Sequence, residues 1–460
     1  MATSPATAGP WVLTLDAGSS SVRAQLYDAH GDTLAPEPLA HVPVRWRTGD
    51  GAMEADADVL AAAALRAIDR AVKAARAHRA EIAAVALDTF WYGVMGVAAD
   101  GRAVTPLYGW GDTRAKEDAA RLRERIDAEA AHARTGCFVH ESYPAAKLVW
   151  LGRAAGDSFS RAACWLSLGE HLCARLFGVR RASRSMASGT GLLDVARCAW
   201  DGEMLEAVGI SPARLPEISD EPLAGLAPEM ARRWPELARV PWLPALGDGA
   251  CATLAAGADR AGTIALTVGT SAAVRVLREG PIDRVPATLW LYRLDARRTV
   301  AGRALSNAGN GFDWLRRTLR LPRRDRLEAM LREMEDDPPH RLHVVPSLVG
   351  ERPPLSAREE IATIAGMTPD TSPVEIWRAW METVAGRIAD AVAAVEAEYG
   401  RAETIAAGGG ALHASPALRR SIERALGRPL ALHGRGDETA RGAALAAWER
   451  INPSTRPMDV

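Results

Sequence analysis

Apolar positions recur along this chain at two spacings, and the switches between them outline its elements. Trp11–Asp16 is a mostly apolar run of strand length, followed by a Gly18-Ser19-Ser20-Ser21 turn. Val22, Ala24 and Leu26 then alternate with Arg23, Gln25 and Tyr27, the period of a strand with one buried face. Together these stretches predict a hairpin. From about Ala55 to His78 apolar residues, mostly alanine, return at helical spacing, and Ile82–Leu87 is strand-like again. Strand and helix patterns alternate irregularly up to Trp242, interrupted by expected loops around Gly101, Gly178 and Pro212.

The opening device then recurs. Thr263–Val268 is a second apolar strand, Gly269-Thr270-Ser271 a second turn of small hydroxyl-bearing residues, and Ala272–Leu277 a second returning strand. An internal duplication follows, with α/β structure in both halves and a boundary near residues 244–262. The second half continues with a helix over about Pro373–Tyr399 and a strand over Thr404–Ala407. After the Gly408-Gly409-Gly410 turn come helices over Ser415–Leu426 and about Thr439–Arg450. The expected domains are residues 9–246 and 247–451.

Composition narrows the function. At 460 residues the chain exceeds what one core usually holds, in keeping with two domains. Its 56 basic and 57 acidic residues leave a net charge of −1 with no long run of one sign. That argues against nucleic acid or an anionic membrane as the main partner, since both need a concentrated basic surface. Lysine occurs only at Lys73, Lys116 and Lys147, so phosphate chemistry here would rest on backbone amides, hydroxyls, arginine and a metal ion. Five cysteines without a C-x-x-C pair predict neither a zinc site nor a disulfide framework, and fit a reducing cytoplasm. Met1–Pro10 lacks an apolar core of signal-peptide type, and no apolar run is long enough to span a bilayer.

Several motifs could carry chemistry. In Asp16-Ala17-Gly18-Ser19-Ser20-Ser21, with Arg23 beyond, glycine permits close approach, hydroxyls and amides donate to phosphate oxygens, and arginine offsets charge. Asp16, at a strand end, could hold Mg²⁺ directly or through water. Gly and Ser are also ordinary turn residues. The second turn strengthens the phosphate reading, because two facing hairpins can cup a phosphate chain between domains. Neither G-x-x-x-x-G-K-[ST] nor G-x-G-x-x-G occurs, so the sequence offers no P-loop and no dinucleotide fingerprint. Asp248, flanked by Gly247 and Gly249 at the predicted junction, reads either as a cleft acid or as a turn aspartate. The triple glycine lets a flat ring or a phosphate approach the backbone, and Glu438 with Gly442-Ala443-Ala444 reads as close packing at a helix start. Trp110-Gly111-Asp112-Thr113-Arg114 could recognise a polyhydroxylated ligand or form a surface turn with a local ion pair. Phe90-Trp91-Tyr92 could stack on a sugar or sit in the core, and His140 is a lone loop histidine.

In this order the motifs resemble the FGGY carbohydrate kinases, in particular their gluconate kinase-like and xylulose kinase-like members. DAGSSSVRA (Asp16–Ala24) resembles the first phosphate motif, and WGDTR (Trp110–Arg114) the family's W-x-D-x-R. TGCFVHESYPAAKLVWL (Thr135–Leu151) is similar to the segment after it, and ASGTGLLD (Ala187–Asp194) to A-S-x-T-G-L-x-D. GDGACA with TVGTSA resembles the catalytic aspartate and second phosphate motif, and AAGGGA (Ala406–Ala411) the adenosine motif. The resemblance implies a two-domain actin-like, ribonuclease H-like ATPase fold, closing on ATP, Mg²⁺ and a small sugar, sugar acid or polyol in the interdomain cleft. It makes Asp248 the general base and places Asp16 near Mg²⁺. It places Gly18, Ser19, Ser20, Arg23, Gly269 and Thr270 near phosphates, and Gly309, Gly409 and Gly410 near the nucleotide. Trp91, Tyr92, Asp112 and His140 fall on the sugar side, with a gluconate-like or ketopentose substrate favoured and a homodimer left open.

Three positions depart from the family pattern. Trp91-Tyr92 stands where Met-His or Trp-His is common, and Ser167-Leu168-Gly169-Glu170 where a lysine often precedes an acid. Leu418 and Arg420 replace a frequent tryptophan and glutamine. All three bear on specificity, since no phosphate-handling residue is lost. Two rival readings are a catalytically silent sugar- or nucleotide-binding regulator on the same fold and a chaperone-like or cytoskeletal ATPase. The retained Asp16 and Asp248 argue against the first, and WGDTR with ASGTGLLD against the second.

Overall fold

The computed structural model describes residues 9–336, 338, 340–354, 361–434 and 437–452. Its first hairpin is β1 (Trp11–Ala17) and β2 (Ser21–Tyr27), followed by β3 (Ala40–Pro43), helix α1 (Ala57–His78) and β4 (Ile82–Thr89). After a run of short elements come β5 (Leu246–Gly247) and α2 (Asp248–Ala255). The second hairpin is β6 (Thr263–Val268) and β7 (Ala272–Glu279), continued by β8 (Trp290–Arg293), β9 (Arg298–Leu305) and α3 (Gly309–Thr318). Helix α4 (Pro373–Tyr399), β10 (Thr404–Gly408), β11 (Ala431–Leu432) and α5 (Glu438–Ile451) complete the frame.

The two sheets repeat one topology. In the first, the order is β5-β4-β1-β2-β3; in the second it is β8-β9-β7-β6-β10-β11. β1 runs antiparallel to β2 and parallel to β4, as β6 does to β7 and β10. Outer neighbours match too, β3 and β9 antiparallel, β5 and β11 parallel. Strand β8 is an addition at the edge of the second sheet. This is the duplicated, actin-like and ribonuclease H-like arrangement that the resemblance implies.

Local sequence explains the frame. β1 is buried at all seven positions because both of its faces are covered, which is why it reads as a run and not as an alternation. Leu13 and Leu15 pack in one core with the alanine face of α1, while Val12 packs on the other side with Ala440, Ala443, Ala444 and Ala447 of α5. Asp56 caps α1 by accepting from the Asp58 and Val59 amides, and Arg79 closes it in the left-handed region at φ 53°. Ser372 and Glu375 form a capping box at the start of α4. Gly442 explains how α5 reaches α2: a Cβ there would lie 1.8 Å from the Cys251 carbonyl oxygen. Among the described residues no helix is long and apolar enough to cross a membrane.

Candidate active site

The first turn closes with the Gly18 amide donating to the Ser21 carbonyl at 3.0 Å. The hydroxyls of Ser19 and Ser20 are left without protein partners, among the described residues. Asp16, the penultimate residue of β1, is nearly inaccessible to solvent. It pairs with Arg23, directly opposite on β2, and accepts from the Thr439 hydroxyl at 2.9 Å. Arg23 also reaches Asp437 at 3.1 Å. On the other flank, the parallel register sets Asp88 of β4 beside Asp16. Both Asp88 carboxylate oxygens are buried without a hydrogen-bond partner, as is the Thr89 hydroxyl. Burial and then the Asp437 charge raise the Asp16 carboxyl to about 7, and burial, then Asp16, push Asp88 well above the carboxylate range. Asp88, Asp437 and Thr439 lie outside any motif singled out in the sequence; a parallel register and a helix start bring them in.

Asp248 opens α2 across from these acids. Its neighbours are glycine for a steric reason: a Cβ on Gly247 would lie 2.0 Å from the Trp91 indole, and one on Gly249 2.5 Å from it. The indole is buried, donates to the Ser185 carbonyl at 2.9 Å and stands edge-on to Tyr292. Trp91 therefore forms the floor under Asp248, and its expected stacking on a sugar meets a ring already enclosed by protein. The Asp248 carboxylate accepts from the Gly249 amide at 2.7 Å. Burial raises its affinity for a proton, opposed by the charge of Arg275 and the Gly249 amide. Arg275 on β7 is a residue the sequence did not single out. It lies beside Gly249, with its Nε buried and unpartnered.

The second turn forms one wall of a cleft of about 640 Å³ that gathers Gly269, Thr270, Gly309 and Gly410. The Gly309 and Asn310 amides donate to the Gly269 and Thr270 carbonyls at 2.9 and 3.1 Å. A Cβ on Gly309 would lie 2.2 Å from the Gly269 oxygen, so this contact requires glycine. Gly409 has φ 101° and passes so close to Val268 that a Cβ would meet its carbonyl oxygen at 2.4 Å. Phe312, Arg316 and Trp377 line the cleft as well, with the Arg316 guanidinium 5.1 Å above the Trp377 ring. These planar groups have no signal in the sequence beyond helical periodicity.

On the far side, Tyr92 sits at φ 69°, in the left-handed region that a bulky residue rarely adopts. Its hydroxyl donates to Tyr292 at 3.2 Å, and its carbonyl accepts from buried Lys147 at 3.1 Å. The His140 ring accepts from the Ser142 amide at 3.2 Å, and its Nε2 lies 3.2 Å from Glu141. Burial, followed by the charges of Arg352 and Arg123, lowers the imidazole to about 3, so it is neutral. Tyr92 and His140 line one small cavity. Asp112 is different: it is buried and already accepts from the Met53 amide at 3.0 Å and from Arg114, which also pairs with Glu54. The expected sugar contact at Asp112 thus falls on a carboxylate committed within the protein.

This geometry can be set beside known proteins. Residues 11–255 match the N-terminal domain of the FGGY family of carbohydrate kinases, and residues 264–448 its C-terminal domain. The gluconokinase of Bacillus subtilis (strain 168) is 25% identical over 308 residues, 66% of this chain but only 59% of that protein's length. The xylulose kinase of Escherichia coli (strain K12) is 26% identical over 458 residues, 95% of this chain and 90% of the relative. The ligand-bound xylulose kinase from Lactobacillus acidophilus superposes with a TM-score of 0.86 at 23% identity, covering 97% of this chain and 91% of that one. The chain belongs to the FGGY family of carbohydrate kinases.

Proposed function

We propose that this protein transfers the γ-phosphoryl group of ATP to a hydroxyl of a small sugar, sugar acid or polyol, gluconate-like or ketopentose, with Asp248 as the general base. The observation that carries this reading is the position of Asp248. It is held on the Trp91 indole, with the acidic end of the first hairpin on one side and Arg275 of the second hairpin on the other. A pure binding protein has no use for a buried carboxylate with a raised proton affinity there.

Phosphoryl transfer asks mainly for alignment and charge neutralisation. Asp248 accepts the proton of the attacking hydroxyl, and its upward shift makes it a better proton acceptor than a solvent-exposed aspartate. Arg275 beside it offers positive charge to the transferring group. The free hydroxyls of Ser19 and Ser20, with Gly18, Arg23, Gly269 and Thr270, bind the phosphate chain from two sides. Gly309, Gly409 and Gly410 leave room for the nucleotide against Phe312 and Trp377. Tyr92 and His140 face the sugar, and Trp91 and Asp112 hold the backbone around it.

Asp16, Asp88 and Asp437 suit a divalent cation. Their charges repel one another; among the described residues Arg23 is the one cation they share, and the Asp88 oxygens accept no hydrogen bond. Among the described residues no group of three acids is arranged to hold a metal ion by itself, so phosphate oxygens and water would have to supply ligands. Bound Mg²⁺ would offset the charge of the β- and γ-phosphates. We place the domain division at residues 246 and 247, with α2 and α5 joining the halves. A coupled ADP-release assay across gluconate, xylulose, ribulose, glycerol and related compounds tests the reading; sugar-independent ATP turnover, or none with any acceptor, defeats it.

A further inference from the structure

Arg352 belongs to the second half of the chain yet lines the small cavity on the sugar side, together with Tyr92, His140, Ser142 and Tyr143. Its guanidinium lies 5.1 Å above the Trp110 ring, which holds the group flat without using its N–H donors. Among the described residues no carboxylate pairs with it.

The residue before it is the opposite case. Glu351 is buried, accepts from the Ser306 amide at 2.9 Å and from the Asn307 side chain at 2.8 Å, and pairs with Arg387 at 3.3 Å. Asn307 also donates to the Gly350 carbonyl at 2.7 Å. The loop is therefore riveted to the second half just ahead of Gly309, whose amide binds the phosphate-side turn at Gly269. Arg352 is displayed from a rigid base.

Charge on the opposite wall favours an anion. Lys147 is fully buried, with its ammonium facing the Tyr92 and Ser142 carbonyls, and Arg123 donates to Val139 next to His140. Glu141 is the nearby acid; the His140 ring lies 3.2 Å from it but, being neutral, does not cancel its charge. Asp112 and Glu54 share Arg114, and Glu54 also pairs with Arg47. Arg352, Arg123 and a Lys147 that burial lowers to about 7 and leaves partly charged still outweigh Glu141 around a neutral imidazole.

We propose that Arg352 anchors a carboxylate of the substrate, so that the acceptor is a sugar acid of the aldonate class and not a neutral ketose or polyol. A planar guanidinium matches a carboxylate with two parallel hydrogen bonds. It supplies from the second domain the charge that Tyr92 cannot supply from the first. Through Glu351 and Asn307 the same contact ties substrate occupancy to the Gly269–Gly309 turn. The proposal deepens the kinase reading and rests on it.

The test measures D-gluconate, D-glucitol and D-xylulose with the full chain and its Arg352→Gln and Arg352→Lys variants, by calorimetric binding and by coupled turnover. The wild type should prefer gluconate. Arg352→Gln should raise the gluconate KM by roughly 10–100-fold, the range for losing charge-assisted hydrogen bonds. Its kcat and ATP affinity should stay within about threefold, as should its KM for either neutral compound. Arg352→Lys should recover part of the loss. Equal losses on acid and neutral compounds, a wild-type preference for a neutral compound, or no gluconate binding would overturn the anchor. Arg352-dependent gluconate binding without turnover would instead leave the anchor standing and overturn the kinase reading.

Discussion

The two hairpin turns occupy equivalent places in two sheets of one strand order, yet they carry opposite chemistry. Two residues before the turn glycine, the first sheet has Asp16 and the second Thr267. Their parallel-strand partners differ in the same way: Asp88 beside Asp16, but Gly408 beside Thr267. One framework therefore carries carboxylates at these two positions in the first sheet and none at the equivalent positions in the second. Pairing and topology are shared; two positions per sheet set the polarity of the cleft. Asp248 stands between them.

The largest effect should come from removing what stands between the two ends. Asp248→Asn should keep ATP binding and lose at least about two orders of magnitude in kcat, because it deletes the proton acceptor; near-normal turnover on the true substrate would refute the assignment. Next, Asp88→Asn makes the first sheet more like the second. Mg²⁺ affinity should fall by roughly 10–100-fold, while the metal-free protein melts at a higher temperature because a buried carboxyl whose ionisation the fold disfavours becomes a neutral amide. A lower melting point would show that Asp88 is already neutralised within the fold.

On the neutral end, Gly309→Ala forces the backbone off the Gly269 carbonyl. A loss of about 1–3 kcal/mol in stability and a raised KM for ATP are expected, with the acceptor KM unchanged. The smallest effect concerns pH. Burial and then the Asp437 charge raise the Asp16 carboxyl to about 7, well above an ordinary aspartate, so below that pH the folded state holds the proton longer than the unfolded chain. Its contribution therefore makes metal-free protein less stable as pH rises from about 4 to 7, and Mg²⁺ should remove that slope. Melting curves with and without Mg²⁺ check it.

Much of this frame was legible in the sequence, because both hairpins and α4 announce themselves by apolar period and turn residues. The duplication was readable from the repeated strand–turn–strand device. What escaped is set by register and tertiary approach. Asp88 sits at the end of a strand that reads as plain core, and only its alignment with Asp16 gives it meaning. Arg275 alternates with apolar residues on β7 as any outward residue would, yet it faces Asp248. Trp91 and Asp112 belong to recognisable motifs, but their burial is invisible in sequence, as is the reach of Arg352 across the cleft.

The packing of α5 has a consequence for how the molecule is made. Thr439 and Asp16 are 423 residues apart, and the alanine face of that helix covers Val12, Ala84 and Ala86 of the first sheet. On the ribosome this sheet must wait, one face bare, until nearly everything else has emerged. The nascent first half is therefore a natural client for chaperones, and a stalled or clipped chain lacking the helix exposes a sticky strand surface rather than a stable half-enzyme.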